Sequence, residues 1–252
     1  MKSLAVCPTY GRIPYLGRML ASFLSQEYED KHLVIINDDR NITLHCDYNN
    51  VTVINCNRKM TVAEKRNIGC SIGNYDIILP LDDDDVFLPN RIKNHVLKCE
   101  NHGAYRNAPC YIIYDNKFFI DNSSPNSISF KKREWYKVGG YKVLEDTRAD
   151  DLQLFYDLRK SGVLLEENDQ SNIDFVYHFG GVNYHLSCTP EKNIEQIASQ
   201  QLHDMGLFGG HYLIEPDYGK LNIIYGLVDH YKEVKCGFDI KYGKNGDIFI
   251  DK

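Results

Sequence analysis

Apolar positions along the chain fall into short continuous runs that alternate with helical stripes. Ser3 to Cys7 is a strand-length run ended by Pro8. Pro14 suits a first helical turn, and Leu16, Met19, Leu20, Phe23 and Leu24 follow at the spacing of one helix face. Leu33 to Ile36 is a second apolar run, ending in Asn37-Asp38-Asp39, and Val51 to Ile54 is a third. Thr61-Val62-Ala63-Glu64 has the capping-box pattern, which predicts a helix from there to about Ser71. Gly73-Asn74 then turns the chain into a fourth run, Ile77 to Leu81. Strand, helix, strand, strand, helix, strand is the rhythm of a mostly parallel sheet with helices on its faces. Ligands of such sheets bind off the carboxyl ends of the strands. Pro8-Thr9-Tyr10, Asn37-Asp38 and Asp82-Asp84 all stand at predicted strand ends, so three motifs converge on one edge.

The second half is less regular. Pro89 to Cys99 reads as a helix, and Tyr111–Tyr114 with Phe118–Ile120 as a hairpin around Asp115-Asn116-Lys117. Lys132 to Val138 is a short helix stopped by Gly139-Gly140, and Asp150 to Lys160 is another, with Leu154, Phe155 and Leu158 as core. Thr189-Pro190 opens a predicted helix through Leu202. Leu221, Ile224, Tyr225 and Val228 form an apolar helix face, read as core or oligomer contact. Phe238–Tyr242 and Ile248–Ile250 are expected to close the chain as a hairpin.

The sharpest chemical signal is Asp82-Asp83-Asp84-Asp85, directly after the fourth run. On an extended backbone Asp82 and Asp84 would face one way and Asp83 and Asp85 the other. Neighbouring like charges repel by on the order of 1 kcal/mol per pair even in water. A cluster of this kind at a strand end calls for a cation, and hard carboxylates suit Mg²⁺ or Mn²⁺ bound together with phosphate oxygens. The bland alternative is a solvated acidic loop.

At 252 residues the chain is long enough for one α/β domain with an appendage. A net charge of −6 counts against gripping nucleic acid as the main task. Eight cysteines without a C-x-x-C pair read as free thiols of a reducing compartment, with zinc disfavoured by the spacing. No apolar stretch nears the roughly 18 residues of a membrane span and no leader pattern opens the chain, so a cytoplasmic location is expected.

In this order and spacing, Pro8-Thr9-Tyr10-x-Arg12, Ser25-Gln26-x-Tyr28, Ile35-Ile36-Asn37-Asp38, Lys65-Arg66-Asn67-x-Gly69, Gly73-x-Tyr75-Asp76-x-Ile78 and Leu81-Asp82-x-Asp84-Asp85 resemble family 2 glycosyltransferases of the GT-A fold. The likeness covers roughly residues 3–95; Lys132-Arg133-Glu134, Gly139-Gly140-Tyr141 and Asp150-Asp151-x-x-Leu154 look like the family's acceptor-side segments. The resemblance implies a Rossmann-like nucleotide-binding sheet flanked by helices. Residues 1–100 would form the nucleotide-sugar half, 101–205 the acceptor half, and 206–252 an extension packed on them. Pro8, Thr9, Tyr10 and Arg12 would line the nucleotide pocket, Asp38 would bond a uracil-type base, and Arg66 would lie near the nucleotide or diphosphate. Asp82 and Asp83 would sit by the ribose and sugar, Asp84 would ligate Mn²⁺ or Mg²⁺, and Asp151 would be the general base. His185 in Tyr184-His185-x-Ser187 would approach the metal and diphosphate, with His178 as the competing candidate. The implied donor is a UDP-sugar and the implied acceptor a glycan hydroxyl, with a hydroxylated base in nucleic acid as a minority option and an oligomer open. Gly11, Asp39 and Asp150 depart from the usual Asn, Gly and Glu.

Several of these residues have structural alternatives. An Asp pair opening a helix is favoured there as a cap and by the helix dipole, which lowers a carboxylate's pKa. Neighbouring Asp150 pushes the other way. Trp135, Tyr136 and Tyr141 would stack on a sugar or base, or anchor a core. Lys131-Lys132-Arg133 would touch an acceptor phosphate or open a solvated helix. A nucleotidyltransferase is the alternative enzyme, but Pro8-Thr9-Tyr10-Gly11-Arg12 is not a glycine-rich phosphate loop. No G-x-G-x-x-G follows the first strand, which disfavours a dinucleotide oxidoreductase. The non-enzyme alternative is a sugar-nucleotide-binding protein.

Overall fold

Side chains alternate across the first strand, β1 (Ser3–Thr9), and its two faces feed two different cores. Ala5 and Cys7 pack against Leu16, Met19, Leu20 and Phe23 of α1 (Ile13–Leu24). Leu4 and Val6 pack on the other side, with Ala63 and Cys70 of α2 (Val62–Ser71). The structure is a computed structural model that describes residues 1–114, 116–122, 127–143, 150–179, 200, 203, 206–242 and 248–251. The expected capping box forms at Thr61 and Glu64. Gly69 lets α2 lie close on the sheet, since a Cβ there would run into the Val6 side chain.

β1 pairs in parallel with β2 (Lys31–Asn37) on one side and with β5 (Ile77–Pro80) on the other. Beyond β2 lies β4 (Val51–Asn55), also parallel. This rhythm is the one the pattern predicts, and the α/β expectation holds. Beyond β5 the sheet turns mixed: β10 (Ile128–Lys131) is antiparallel to β5 and to β7 (Ala104–Asn107), and β11 (Leu164–Glu167) is parallel to β7. The order is β11-β7-β10-β5-β1-β2-β4. Helices α3 (Arg91–Asn101), α4 (Lys132–Val138) and α5 (Asp150–Lys160) lie along this chain order, and Leu154, Phe155 and Leu158 enter the second core as expected.

A second sheet has the order β15 (Ile248–Ile250), β14 (Phe238–Tyr242), β9 (Lys117–Asp121), β8 (Cys110–Tyr114), β12 (Phe175–Phe179) and β6 (Val86–Phe87). Here β6 continues from the aspartates, and β8 and β9 form the predicted hairpin. β12 runs parallel to β8, and β14 pairs with both β9 and β15. Helix α6 (Tyr218–Val234) buries Leu221, Ile224, Leu227 and Val228 in the core under this sheet. A two-stranded piece joins β3 (Ile42–His45) to β13 (Gly210–Leu213). The last stretch of chain thus supplies strands to both smaller sheets. The helix expected from Thr189 to Leu202 lies outside the described residues, apart from residue 200.

Candidate active site

Three strand ends meet at one edge of the large sheet: Thr9 of β1, Asn37–Asp39 at the end of β2, and Asp82–Asp85 beyond β5. Chain order reverses at β1, between β2 and β5, which is where open α/β sheets bind ligands. The four aspartates do not alternate faces as an extended backbone would require. The Asp85 amide donates to the Asp82 carbonyl at 3.2 Å, closing a turn whose carboxylates are reached by Arg66, Arg12, Thr9 and the His178 amide. Repulsion along the run is thereby met by donors on surrounding elements.

One nitrogen of Arg66 donates to both oxygens of Asp82, at 2.8 and 3.0 Å. Asp83 accepts from the Thr9 hydroxyl and from Arg12, both at 2.6 Å. The other arm of Arg12 reaches Asp84 at 3.0 Å. Asp85 accepts the His178 amide at 3.0 Å, while among the described residues its buried Oδ2 has no hydrogen-bond partner. Burial lifts the Asp83 carboxyl to about 6, with Arg12 opposing and Asp84 adding to the rise. Burial, then Asp84 and Asp82, push Asp85 well above its ordinary value.

Arg66 also joins this turn to the acceptor side. Its Nη1 donates to Asp150 at 3.1 Å, and its guanidinium stands 5.5 Å from the centre of the Tyr141 ring. Next to it, Asn67 exchanges two 2.8 Å bonds with the Tyr141 backbone, pinning the chain after α4 to α2. Asp151 follows Asp150 at the start of α5. Its carboxyl rises to about 6, through burial first, with Arg66 opposing and Asp150 and Asp82 adding like charge. Desolvation outweighs the helix dipole here, so the lowering expected for a helix-opening carboxylate is not what this site has. A cap-like bond persists, with Asp151 Oδ1 accepting the Leu152 amide at 2.7 Å.

At the end of β2, Asp38 accepts from Lys65 Nζ at 2.7 Å and from the Met60 amide at 2.8 Å. Lys65 donates also to the Thr9 carbonyl at 2.9 Å, lacing the first two strand ends together. Lys59 lies 5.4 Å from the Tyr10 ring centre, and Pro8 sits within β1 opposite Ile36. The structure therefore gathers Pro8, Thr9, Tyr10, Arg12, Asp38, Arg66, Asp82, Asp83, Asp84 and Asp151 around one edge. His178 belongs to the same edge, its Nδ1 3.4 Å from Arg18 Nη2, whereas His185 lies outside the described residues.

The sequence reading assigns no role to Arg18 or to Lys65, yet both hold the site. Arg18 donates to the Asp84 carbonyl. Its signal was available: a charged side chain on the buried face of α1, between Tyr15 and Ser22. Two other expectations resolve toward structure. Trp135 is buried in the second core. Lys132 Nζ caps the end of α2, donating to the carbonyls of Ser71, Ile72 and Gly73, and Lys131 reaches the Glu100 carbonyl. Neither lysine is spare for an acceptor phosphate.

Among the described residues no three His, Cys, Asp or Glu side chains converge as a ready-made metal cage. A small hard dication needs none: Mg²⁺-type ions use one or two carboxylates and take further oxygens from substrate phosphates and water. The carboxylates of Asp84, which is buried, and Asp82, which is partly exposed, fit that pattern. Among the described residues no helix is long and apolar enough to cross a membrane.

Comparison with known proteins agrees with this geometry. The family model described as glycosyl transferase family 2 matches residues 5–150. An uncharacterized glycosyltransferase of Haemophilus influenzae is 25% identical over 148 residues, which is 55% of this chain and 50% of that protein. The chain thus spans about half the length of this curated relative. Among solved structures, S. aureus TarS 1–349 in complex with UDP-GlcNAc superposes with a TM-score of 0.60 at 13% identity, covering 75% of this chain and 61% of that one. The mannosyltransferase PcManGT from Pyrobaculum calidifontis, in complex with GDP-Man and Mn²⁺, gives 0.54 at 14% identity, covering 74% and 59%. These two likenesses concern the fold, which is that of GT-A glycosyltransferases. With more than half of its length matched by the family model, the chain belongs to glycosyl transferase family 2.

Proposed function

We propose that this protein moves a sugar from a nucleotide-sugar to an acceptor hydroxyl, with inversion, and that Asp151 is its general base. The observation that carries this reading is the Arg66 bridge, in which one buried guanidinium joins Asp82 of the strand-end turn to Asp150, the neighbour of Asp151. Donor-side and acceptor-side carboxylates are thereby held around a single cation.

Pro8, Thr9, Tyr10, Arg12 and Asp38 would form the nucleotide side, and Asp82 and Asp83 the region of the ribose and sugar. Asp84 would hold Mn²⁺ or Mg²⁺, and the bound ion would supply positive charge for the departing diphosphate. Asp151 accepts the proton of the attacking hydroxyl. A carboxyl at about 6 is ionised at neutral pH and more basic than an ordinary aspartate, which suits that role. A single base needs no covalent intermediate, so one displacement with inversion is the simplest course. The neighbours' complexes hold a uridine donor in one case and a guanosine donor in the other. For the acceptor, a glycan hydroxyl is the reading that the family resemblance supports.

The test is release of nucleoside diphosphate from a panel of nucleotide-sugars with Mn²⁺, with a mixed glycan acceptor, for wild type and Asp151→Asn. Turnover lost in the variant while nucleotide binding persists supports the assignment. A wild type that binds nucleotide but never turns over would reduce the protein to a binding module.

A further inference from the structure

Two of the positions at which this chain departs from the family pattern lie against each other. Gly11 stands where the family has Asn, and Asp39 where it has Gly. Gly11 adopts φ +63°, and a Cβ there would lie 2.9 Å from Asp39 Oδ2 and 3.0 Å from Ile42 Cδ1. The side chain absent from the first loop makes room for the one gained on the second. Both loops are fastened through Asn37, whose Oδ1 accepts the amides of Gly11 at 2.9 Å and Asp39 at 3.2 Å. Asp39 Oδ1 accepts the Asn41 amide at 2.9 Å, which fixes the carboxylate's direction.

Asp39 is only 5% exposed, and among the described residues no cation pairs with it. Its neighbour Asp38 differs, being neutralised by Lys65. Burial raises the Asp39 carboxyl, with the Asn41 amide opposing, Asp38 adding to the rise and the Ile42 amide opposing again. A buried carboxylate without a counter-charge needs strong hydrogen-bond donors. It stands between the two strand-end loops that the family resemblance assigns to the nucleotide.

We propose that Asp39 reads the donor's base and selects guanine, so that the donor is a guanosine-diphosphate sugar rather than the uridine donor implied by the resemblance. A carboxylate only accepts hydrogen bonds. Among the common bases, guanine alone sets two N–H donors side by side, the ring N1–H and the 2-amino group, matching the two oxygens of a carboxylate. Uracil offers one ring N–H between two carbonyl oxygens, which a carboxylate repels. Adenine and cytosine place an acceptor ring nitrogen beside their amino group.

This inference rests on the nucleotide-sugar reading above, and one experiment separates the two. GDP, UDP, ADP and CDP are titrated calorimetrically, with Mn²⁺, into the full chain as wild type, Asp39→Gly and Asp39→Asn. The expected result is GDP bound about tenfold or more tightly than UDP by wild type. Asp39→Gly should lose that preference, with UDP affinity within about threefold of wild type or better. Asp39→Asn keeps an acceptor for the Asn41 amide, so the turn survives, and should narrow the GDP-to-UDP ratio. A wild type preferring UDP, or an unchanged ratio in both variants, overturns the role of Asp39 and leaves glycosyl transfer standing. Failure of all four nucleotides to bind overturns both.

Discussion

Two buried clusters of charge in this molecule look alike until their charges are balanced. In the interior, Arg91 donates to Asp174 at 2.6 Å, with His95 Nε2 3.3 Å from the same carboxylate, and the guanidinium lies between the rings of Phe87 and Phe175 at 4.6 and 4.7 Å. Burial works against Asp174, yet His95 and Arg91 hold it below the ordinary carboxylate range. At the strand ends, Asp82–Asp85, Asp150 and Asp151 face Arg12, Arg18 and Arg66, and Asp83, Asp85, Asp150 and Asp151 are all raised. The first cluster is balanced in charge within the protein. The second carries more carboxylates than guanidiniums, which is the electrostatic form of a site waiting for a cationic or proton-donating ligand.

The largest expected effect separates the two by activity. Asp151→Asn should lower kcat by about 10²–10⁴ while the donor's affinity holds. Because the folded carboxyl titrates at about 6 rather than near 3.8, its ionised form weakens the fold once the pH exceeds the unfolded value. The same variant should therefore melt higher at pH 8, by about 2–4 °C per kcal/mol relieved. A variant that melted lower would place Asp151 with the structural carboxylates instead.

Next comes the interior. Arg91→Ala should cost about 3–5 kcal/mol in urea unfolding, since it strands Asp174 in the core. Activity of the fraction still folded should be close to normal; a specific loss of kcat would erase the distinction between the clusters. A smaller effect is the acid limb. The base must be ionised, so kcat/KM should be level above about pH 6 and fall about tenfold per unit below it, and Asp151→Glu should move that limb. Smallest is Thr61→Ala, which removes the cap of α2 and should cost about 1 kcal/mol. Since α2 carries Lys65 and Arg66, donor affinity should weaken with it, whereas a change confined to stability would show that the cap does not set the site's geometry.

The elements legible in the sequence were those with a local signature. The α1 stripe, the Thr61 capping box, the β8–β9 hairpin and α6 each declare themselves within a dozen residues or so. β7, β10 and β11 did not, because four residues such as Ala104–Asn107 carry no period and become strands only by pairing with one another. β12 carries a local signature that the sequence reading leaves unused, Phe175–Phe179 being rich in aromatic and β-branched residues. Within the site, residue types were legible and partners were not. Nothing local says that Thr9 and Arg12 share Asp83, more than seventy positions away, or that Arg66 reaches Asp150.

The sequence by itself determined the parallel half of the sheet, the edge where its strand-end motifs gather, and the surplus of carboxylates there, since all three follow from periodicity, capping and composition. Only the tertiary structure decided which carboxylate answers to which arginine, that Asp39 fills the space Gly11 leaves, and that burial lifts Asp151. Proton affinity and ion pairing depend on distance and on the loss of water, and both are set when segments far apart in the chain pack together.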